Sequence, residues 1–273
     1  MTKIEILGVK VDALTKEQVL STISGYLSGE KTGTKIITTA YSEFIVAANN
    51  DERFRNTLNS ADLNLADGIG ILWSAAFLNK PLKIRNQGLK ILEIALQFLV
   101  TAWQTAFNQQ KIKNVIPEQI SGADLIYDIC KLAQEKGSGV YFLGGRGDII
   151  TPLKKQFPNL RIAGRYEGSP DEPDLINKIN QADPDILLVA YGPIKQEYWL
   201  NENCGRLNTR VAVGLGGTFD YITGRRPRAG RIWRKFGLEW LFRLLTQPWR
   251  AKRMWNAIVV FSWLVLKEKF RQK

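Results

Sequence analysis

Asp67 stands directly behind an apolar run and before Gly68-Ile-Gly70, a setting in which a carboxylate can lose part of its hydration and rise toward the range of a general base. The same position also suits an N-cap for the apolar helix that follows, and both roles are open. The 273 residues contain no histidine and only two cysteines, Cys130 and Cys204. Ser-His-Asp and Cys-His catalysis, histidine metal sites and cysteine-cluster zinc sites are therefore excluded, and proton transfer falls to Asp, Glu, Lys or Tyr. Cations are plentiful near the end of the chain. Arg250 and Arg253 are three apart and share a helix face, and Arg243 precedes them by less than two turns. Three guanidinium forks in reach of one another match the oxygens of a diphosphate.

Two glycine turns, Gly144-Gly145-Arg146-Gly147 and Gly214-Leu215-Gly216-Gly217, follow apolar runs. They suit either a phosphate cradle at a helix N-terminus or simple tight turns. Neither has the spacing of the dinucleotide fingerprint or of the P-loop. Asp220, beyond the second turn, could accept from ribose hydroxyls or cap the turn. Gln196, in Gly192-Pro-Ile-Lys-Gln196-Glu197, is placed either to read a carbonyl or sugar hydroxyl or to face solvent.

The elements that must position these groups alternate in type. Strands are predicted at Lys35–Thr39, Asp62–Ala66, Gly139–Leu143, Asp185–Ala190 and Arg210–Gly214, with helices between them. A Thr15-x-x-Gln18 capping box opens the first helix. Continuous apolar strands between helices predict an α/β, Rossmann-like domain with a mostly parallel sheet. Open sheets of this class bind ligands beyond the carboxyl ends of their strands, which brings Thr39, Tyr41, Asp67, the glycine turns, Gln196 and Asp220 to one rim.

Residues 1–220 form a charge-balanced body with 24 basic and 24 acidic groups, and residues 221–273 carry 14 Lys/Arg against Glu239 and Glu268, the whole of the +12 excess. Five of the eight tryptophans lie in this tail, and residues 254–266 are apolar except for Asn256 and Ser262. That run spans about 20 Å as a helix, short of the ~30 Å hydrocarbon layer. Its composition suits a helical appendage on an anionic membrane surface, or a run packed in the core whose charges form a solvated face, and the apolar run argues against nucleic acid. A second amphipathic stretch, residues 83–114, reads as a helical insertion, either an arm packed on the core or a dimer or membrane contact. The N-terminus lacks the long apolar stretch of a signal peptide, so the body is expected to be intracellular.

Six segments together resemble the WecG/TagA/CpsF glycosyltransferase family. They are Thr39-Ala-Tyr-Ser-Glu43-Phe44, Ala66-Asp67-Gly68-Ile-Gly70, Ser121-Gly122-Ala-Asp124-Leu, Gly192-Pro-Ile-Lys195-Gln196-Glu197, Gly214-Leu-Gly-Gly217-Thr-Phe219-Asp220 and Gly237-Leu-Glu-Trp-Leu-Phe-Arg243. The resemblance implies an inverting, metal-independent transferase without a cofactor. Such an enzyme moves an N-acetylmannosamine-type sugar from a UDP donor to a polyprenyl-diphosphate-linked N-acetylglucosamine, at the cytoplasmic face of the membrane, as a peripheral protein, either a monomer or a homo-oligomer. It implies Asp67 as base, Thr39, Gln196 and Asp220 at the donor, Tyr166 stacked on the uracil, and Arg243, Arg250 and Arg253 facing diphosphate. Two positions depart from the family pattern: Tyr41 stands where asparagine is usual, and Gln119 where arginine is usual. A changed sugar, a substitute from the insertion such as Arg85, and reduced activity or a non-catalytic membrane role are the alternatives these departures leave.

Overall fold

The computed structural model describes residues 2–84, 86–230, 233 and 237–272. Its sheet has eight strands in the order β1-β2-β4-β3-β8-β7-β5-β6: β1 (Lys3–Ile6), β2 (Val9–Asp12), β3 (Lys35–Ala40), β4 (Leu63–Ala66), β5 (Val140–Gly144), β6 (Ile162–Tyr166), β7 (Ile186–Ala190) and β8 (Val211–Gly214). Only the β1–β2 hairpin is antiparallel; every other neighbouring pair is parallel. The five predicted strands are present. The hairpin and β6 are additions that the sequence reading did not anticipate. They are the edge strands, where polar residues interrupt the apolar pattern that reveals buried strands.

Pleating sends successive side chains to opposite faces. Ile37, Leu188 and Val213 join one core with α1 (Lys16–Ser28), α6 (Gly122–Lys136) and α7 (Ile150–Gln156), while Ile36, Leu187 and Ala212 join another with α8 (Leu175–Gln181) and α9 (Lys195–Asn203). Thr15 and Gln18 form the reciprocal capping box at α1. Beyond β3 the chain runs through α2 (Ser42–Asn50) and α3 (Glu52–Ser60) to β4, on one side of the sheet. β8 reaches β3 from the other side, so the connections diverge between these two strands. A ligand crevice is expected at such a switch point.

A third core gathers α2, α4 (Ile69–Leu78), the N-terminal hairpin and the tail residues Phe261 and Val265. The tail comprises α11 (Glu239–Thr246), a 3-10 turn at Pro248–Arg250, α12 (Ala251–Trp255), a π-helical turn at Asn256–Val260 and α13 (Phe261–Arg271). It follows the short α10 (Thr218–Ile222). Phe261 meets Trp73 of α4 at 6.2 Å, and the buried Lys269 donates to the carbonyls of Leu78 (2.9 Å) and Lys80, where a cation suits the negative end of α4. One side of the apolar run thus packs into the body, while Trp255, Val259 and Trp263 stay exposed. The 83–114 stretch forms α5 (Gln87–Phe107) and a 3-10 turn at Gln109–Ile112, with Phe98 set edge-on against Trp73 and Phe77.

Candidate active site

A cavity of about 710 Å³ opens at the carboxyl ends of β4, β3, β8 and β7. Thr39, Tyr41, Asp67 and Gln196 line it from the body, and Arg243, Arg250 and Arg253 from the tail. Seven of the eleven residues singled out in the sequence therefore share one space, although the last three are about 180 positions or more from Asp67. Gln119 also lines this cavity, while Arg85 lies outside the described residues.

Asp67 sits at the end of β4. Its backbone N–H donates to Ala40 O (2.8 Å), and its Oδ2 accepts from the Gly122 N–H at the start of α6 (3.3 Å). It does not cap α4, whose N-cap is Gly68 and has no side-chain bond. Its carboxyl is pushed up to about 7, mainly because the site is desolvated and secondly because the negative Glu239 lies nearby; Arg243 and the Gly122 N–H oppose the rise. The side chain nevertheless remains open to the cavity. Such a carboxyl is close to half-ionised near neutrality and opens on the cavity, the combination a general base needs.

Gln196 is buried, and its bonds explain how. Its Oε1 accepts from the Gly216 N–H (2.8 Å), and its Nε2 donates to Glu197 Oε1 (2.6 Å). The Ile194 N–H donates to Glu197 Oε2 (2.7 Å), holding Ile194 at φ 71°, a strained conformation for a β-branched residue. This pins the β7–α9 turn to the β8 glycine turn. A Cβ on Gly214 would lie 2.8 Å from Glu197 Oε1 and 3.0 Å from Gln196 Nε2, so only glycine lets them close. Thr39 Oγ1 lies 3.5 Å from Gly214 O across the switch point.

The arginines are not equivalent. Arg253 donates to both oxygens of Glu43 (Nε–Oε1 2.9 Å, Nη2–Oε2 2.8 Å) and to the Tyr41 hydroxyl (3.3 Å), clamping α12 to the start of α2. Arg243 is paired with Glu239 four residues earlier, and Arg226 with Asp220 (3.1 Å). Among the described residues Arg250 has no carboxylate partner; its guanidinium donates to Gln247 Oε1 (3.1 Å). Burial first, and then the fields of Arg253, Arg243 and Arg226, hold it below the ordinary arginine range. Four guanidinium groups crowding one cavity wall favour an anion there. Replacing Glu43 with Gln is expected to weaken the clamp by about 2 kcal/mol and to raise tail opening about 30-fold. Faster limited proteolysis of residues 237–272 would register this; an unchanged rate would mean that Phe261 and Lys269 hold the tail alone.

Four of the sequence candidates fall elsewhere. Gly144 and Gly145 line a smaller cavity of about 410 Å³ with Asp220, Arg225 and Arg226. At the helix end beside them Asp148 Oδ1 accepts from the Ile150 and Thr151 N–H groups (2.9 and 3.0 Å), so these two donors are already engaged within the protein. Gly145, at φ 69°, is instead a tight turn against Phe219. Tyr166 lines neither of these cavities. It lies at the end of the edge strand β6, with the Lys178 ammonium 5.7 Å from its ring centre. Asp220 borders the smaller cavity and is engaged by Arg226, which lines both cavities and so stands between them. The sequence reading missed Glu239, Arg226 and Lys269. The four-residue spacing of Glu239 and Arg243 was the available signal for the first.

A strand-end cavity that joins one raised carboxylate to a wall of guanidinium groups has the chemistry suited to group transfer on an anionic substrate. The model of the glycosyl transferase WecG/TagA/CpsF family matches residues 4–108 and 97–273, and the chain belongs to that family. An N-acetylglucosaminyldiphosphoundecaprenol N-acetyl-beta-D-mannosaminyltransferase of Bacillus spizizenii is 31% identical over 223 residues, covering 80% of this chain and 74% of that protein. Proteins of the same name from Bacillus subtilis and Staphylococcus aureus are 28% and 24% identical, covering 87% and 99% of this chain and 81% and 95% of their own lengths.

Proposed function

We propose that the protein transfers an N-acetylmannosamine-type sugar from a UDP-sugar to a polyprenyl-diphosphate-linked N-acetylglucosamine, with inversion, in cell-surface polysaccharide synthesis. The observation that carries this reading is Asp67, raised to about 7 and facing the same cavity as Arg243, Arg250 and Arg253. Asp67 takes the proton of the acceptor hydroxyl, and that oxygen attacks the anomeric carbon from the face opposite the donor phosphate. The C–O bond to phosphate breaks and UDP departs with the bonding pair. The arginines answer the negative charge of the diphosphates, the work a divalent cation does in metal-dependent transferases. The relatives' names, which specify a diphosphoundecaprenol-linked substrate, support the acceptor class.

A peripheral position on the cytoplasmic membrane face follows from the same reading. Among the described residues no helix is long and apolar enough to cross a membrane, and the tail presents Trp249, Trp255 and Trp263 beside lysines and arginines. Tyr41 favours a modified donor preference, because its ring occupies the cavity wall near the donor candidates Thr39 and Gln196. A panel of UDP-sugars with a short-chain polyprenyl-diphosphate N-acetylglucosamine acceptor, read by UDP release, tests both points. UDP-N-acetylmannosamine is expected to be turned over, and Tyr41→Asn to shift the preference among donors. No release with any donor, together with no calorimetric UDP binding at millimolar concentration, would leave a non-catalytic protein of the same fold.

A further inference from the structure

Helix α5 is inside-out. Its polar side chains Glu93, Gln97, Thr101, Gln104 and Thr105 recur at intervals of four, four, three and one, forming a single seam that faces the protein. Glu93 accepts from the Lys83 and Ile84 N–H groups (3.0 Å each), Gln97 Nε2 donates to Pro81 O (3.0 Å), and Lys80 Nζ donates to Gln104 Oε1 (3.4 Å). Thr101 is fully buried, and Lys90 is tied to Gln272 O (2.6 Å). All eleven exposed residues from Leu89 to Phe107 are apolar, with Leu96 61%, Trp103 58% and Phe107 75% exposed. A helix on a water-facing surface carries the opposite pattern, so the medium around this one is apolar.

From this we infer that α5 lies in the plane of a lipid bilayer with its outward face among the acyl chains, as an insertion element distinct from the basic tail. Three observations favour lipid over a second copy of the chain. Helix α5 packs against α13, and the tail there presents Trp255, Val259 and Trp263 to the outside. Lys83 and Lys111 are exposed at its two ends, as suits anionic headgroups. Phe98 and Thr105 on the inner side of the same helix, with Ala102 at its exposed edge, line the cavity that holds Asp67, so a chain lying along α5 leads from the acyl layer to the carboxylate. A 21-residue helix is about 31 Å long, enough to span, but its polar seam keeps it from crossing and the protein covers that side, so it lies flat.

The test replaces Leu92, Leu96, Leu99 and Trp103 together with Gln in the full chain. Sedimentation with neutral phosphatidylcholine vesicles at high salt removes the electrostatic contribution of the tail. The parent protein is expected to sediment, and the variant's partitioning to fall about 100-fold, the scale of losing several buried apolar groups. Far-UV dichroism and turnover of a water-soluble acceptor with a short alkyl chain are expected to stay within about twofold, which separates this inference from the sugar-transfer reading. A Leu96→Cys protein carrying an environment-sensitive dye should be quenched by brominated lipids. Equal sedimentation of variant and parent would overturn the inference. So would a parent protein that is dimeric without lipid and made monomeric by the substitutions, which would assign the face to a second copy.

Discussion

Asp67→Asn is expected to lower turnover by about 10²-fold or more while making the protein more resistant to heat above neutral pH. Asparagine keeps the shape and can still accept the Gly122 N–H, but it cannot take a proton from an acceptor hydroxyl. The gain in stability follows from the sign of the shift. The Asp67 carboxyl is raised from 3.8 to about 7, so between those values the folded state holds a proton that the unfolded chain has released. Stability from this group therefore falls as pH rises through that window, and the full penalty is present above about 7. The two proteins should melt together near pH 4 and diverge toward pH 8, with the variant higher. Glu197, also raised to about 7 by burial, titrates in the same window but is common to both proteins and cancels. In the parent enzyme kcat/KM should climb with pH through about 7 as Asp67 loses its proton. Equal melting temperatures at both pH values would show that the carboxylate is not desolvated, and near-normal turnover would remove it as the base.

Arg250→Gln is expected to cost about 10²- to 10³-fold in kcat/KM, the scale of removing one preorganised donor from a developing anion. Arg253, Arg243 and Arg226 each have a carboxylate partner, whereas Arg250 faces three other guanidinium groups. Without a bound anion that arrangement is repulsive, so the substitution should raise the melting temperature of the free protein. The same repulsion is what a diphosphate relieves. UDP or inorganic diphosphate should accordingly stabilise the parent more than the variant, with the difference shrinking as salt rises. Differential scanning fluorimetry across diphosphate and salt concentrations measures it. A variant that melts lower than the parent, or one stabilised by diphosphate to the same degree, would mean that Arg250 serves packing and not anion binding.

These expectations draw on information of two kinds. The α/β class, the five central strands and the Thr15 cap were legible because burial on both faces and capping leave local patterns in a chain. Asp67 was legible as a candidate because it follows an apolar strand directly. The charge division at residue 220 and the family segments were legible without any coordinates. Which candidates share a space was not legible. The strand order decides that β4, β3, β8 and β7 open on one cavity and that Gly144 and Gly145 open on another, and strand order is a long-range pairing with no local signature. Tyr166 left the site for the same reason, being carried to the sheet edge by β6.

The difference between the arginines is also a tertiary fact. Their types and spacing announce an anion site, but only the placement of Glu43, Glu239 and Asp220 decides which cation remains for a ligand. Likewise α5 shows an apolar majority in the sequence, yet its meaning depends on which side the body covers. The sequence alone determined the chemical inventory: a carboxylate candidate in a chain without histidine, an arginine-rich tail and an amphipathic helix at residues 83–114. The tertiary structure decided which of these groups meet, which are neutralised and which face outward, because desolvation and charge pairing depend on distances across the fold that no local pattern encodes.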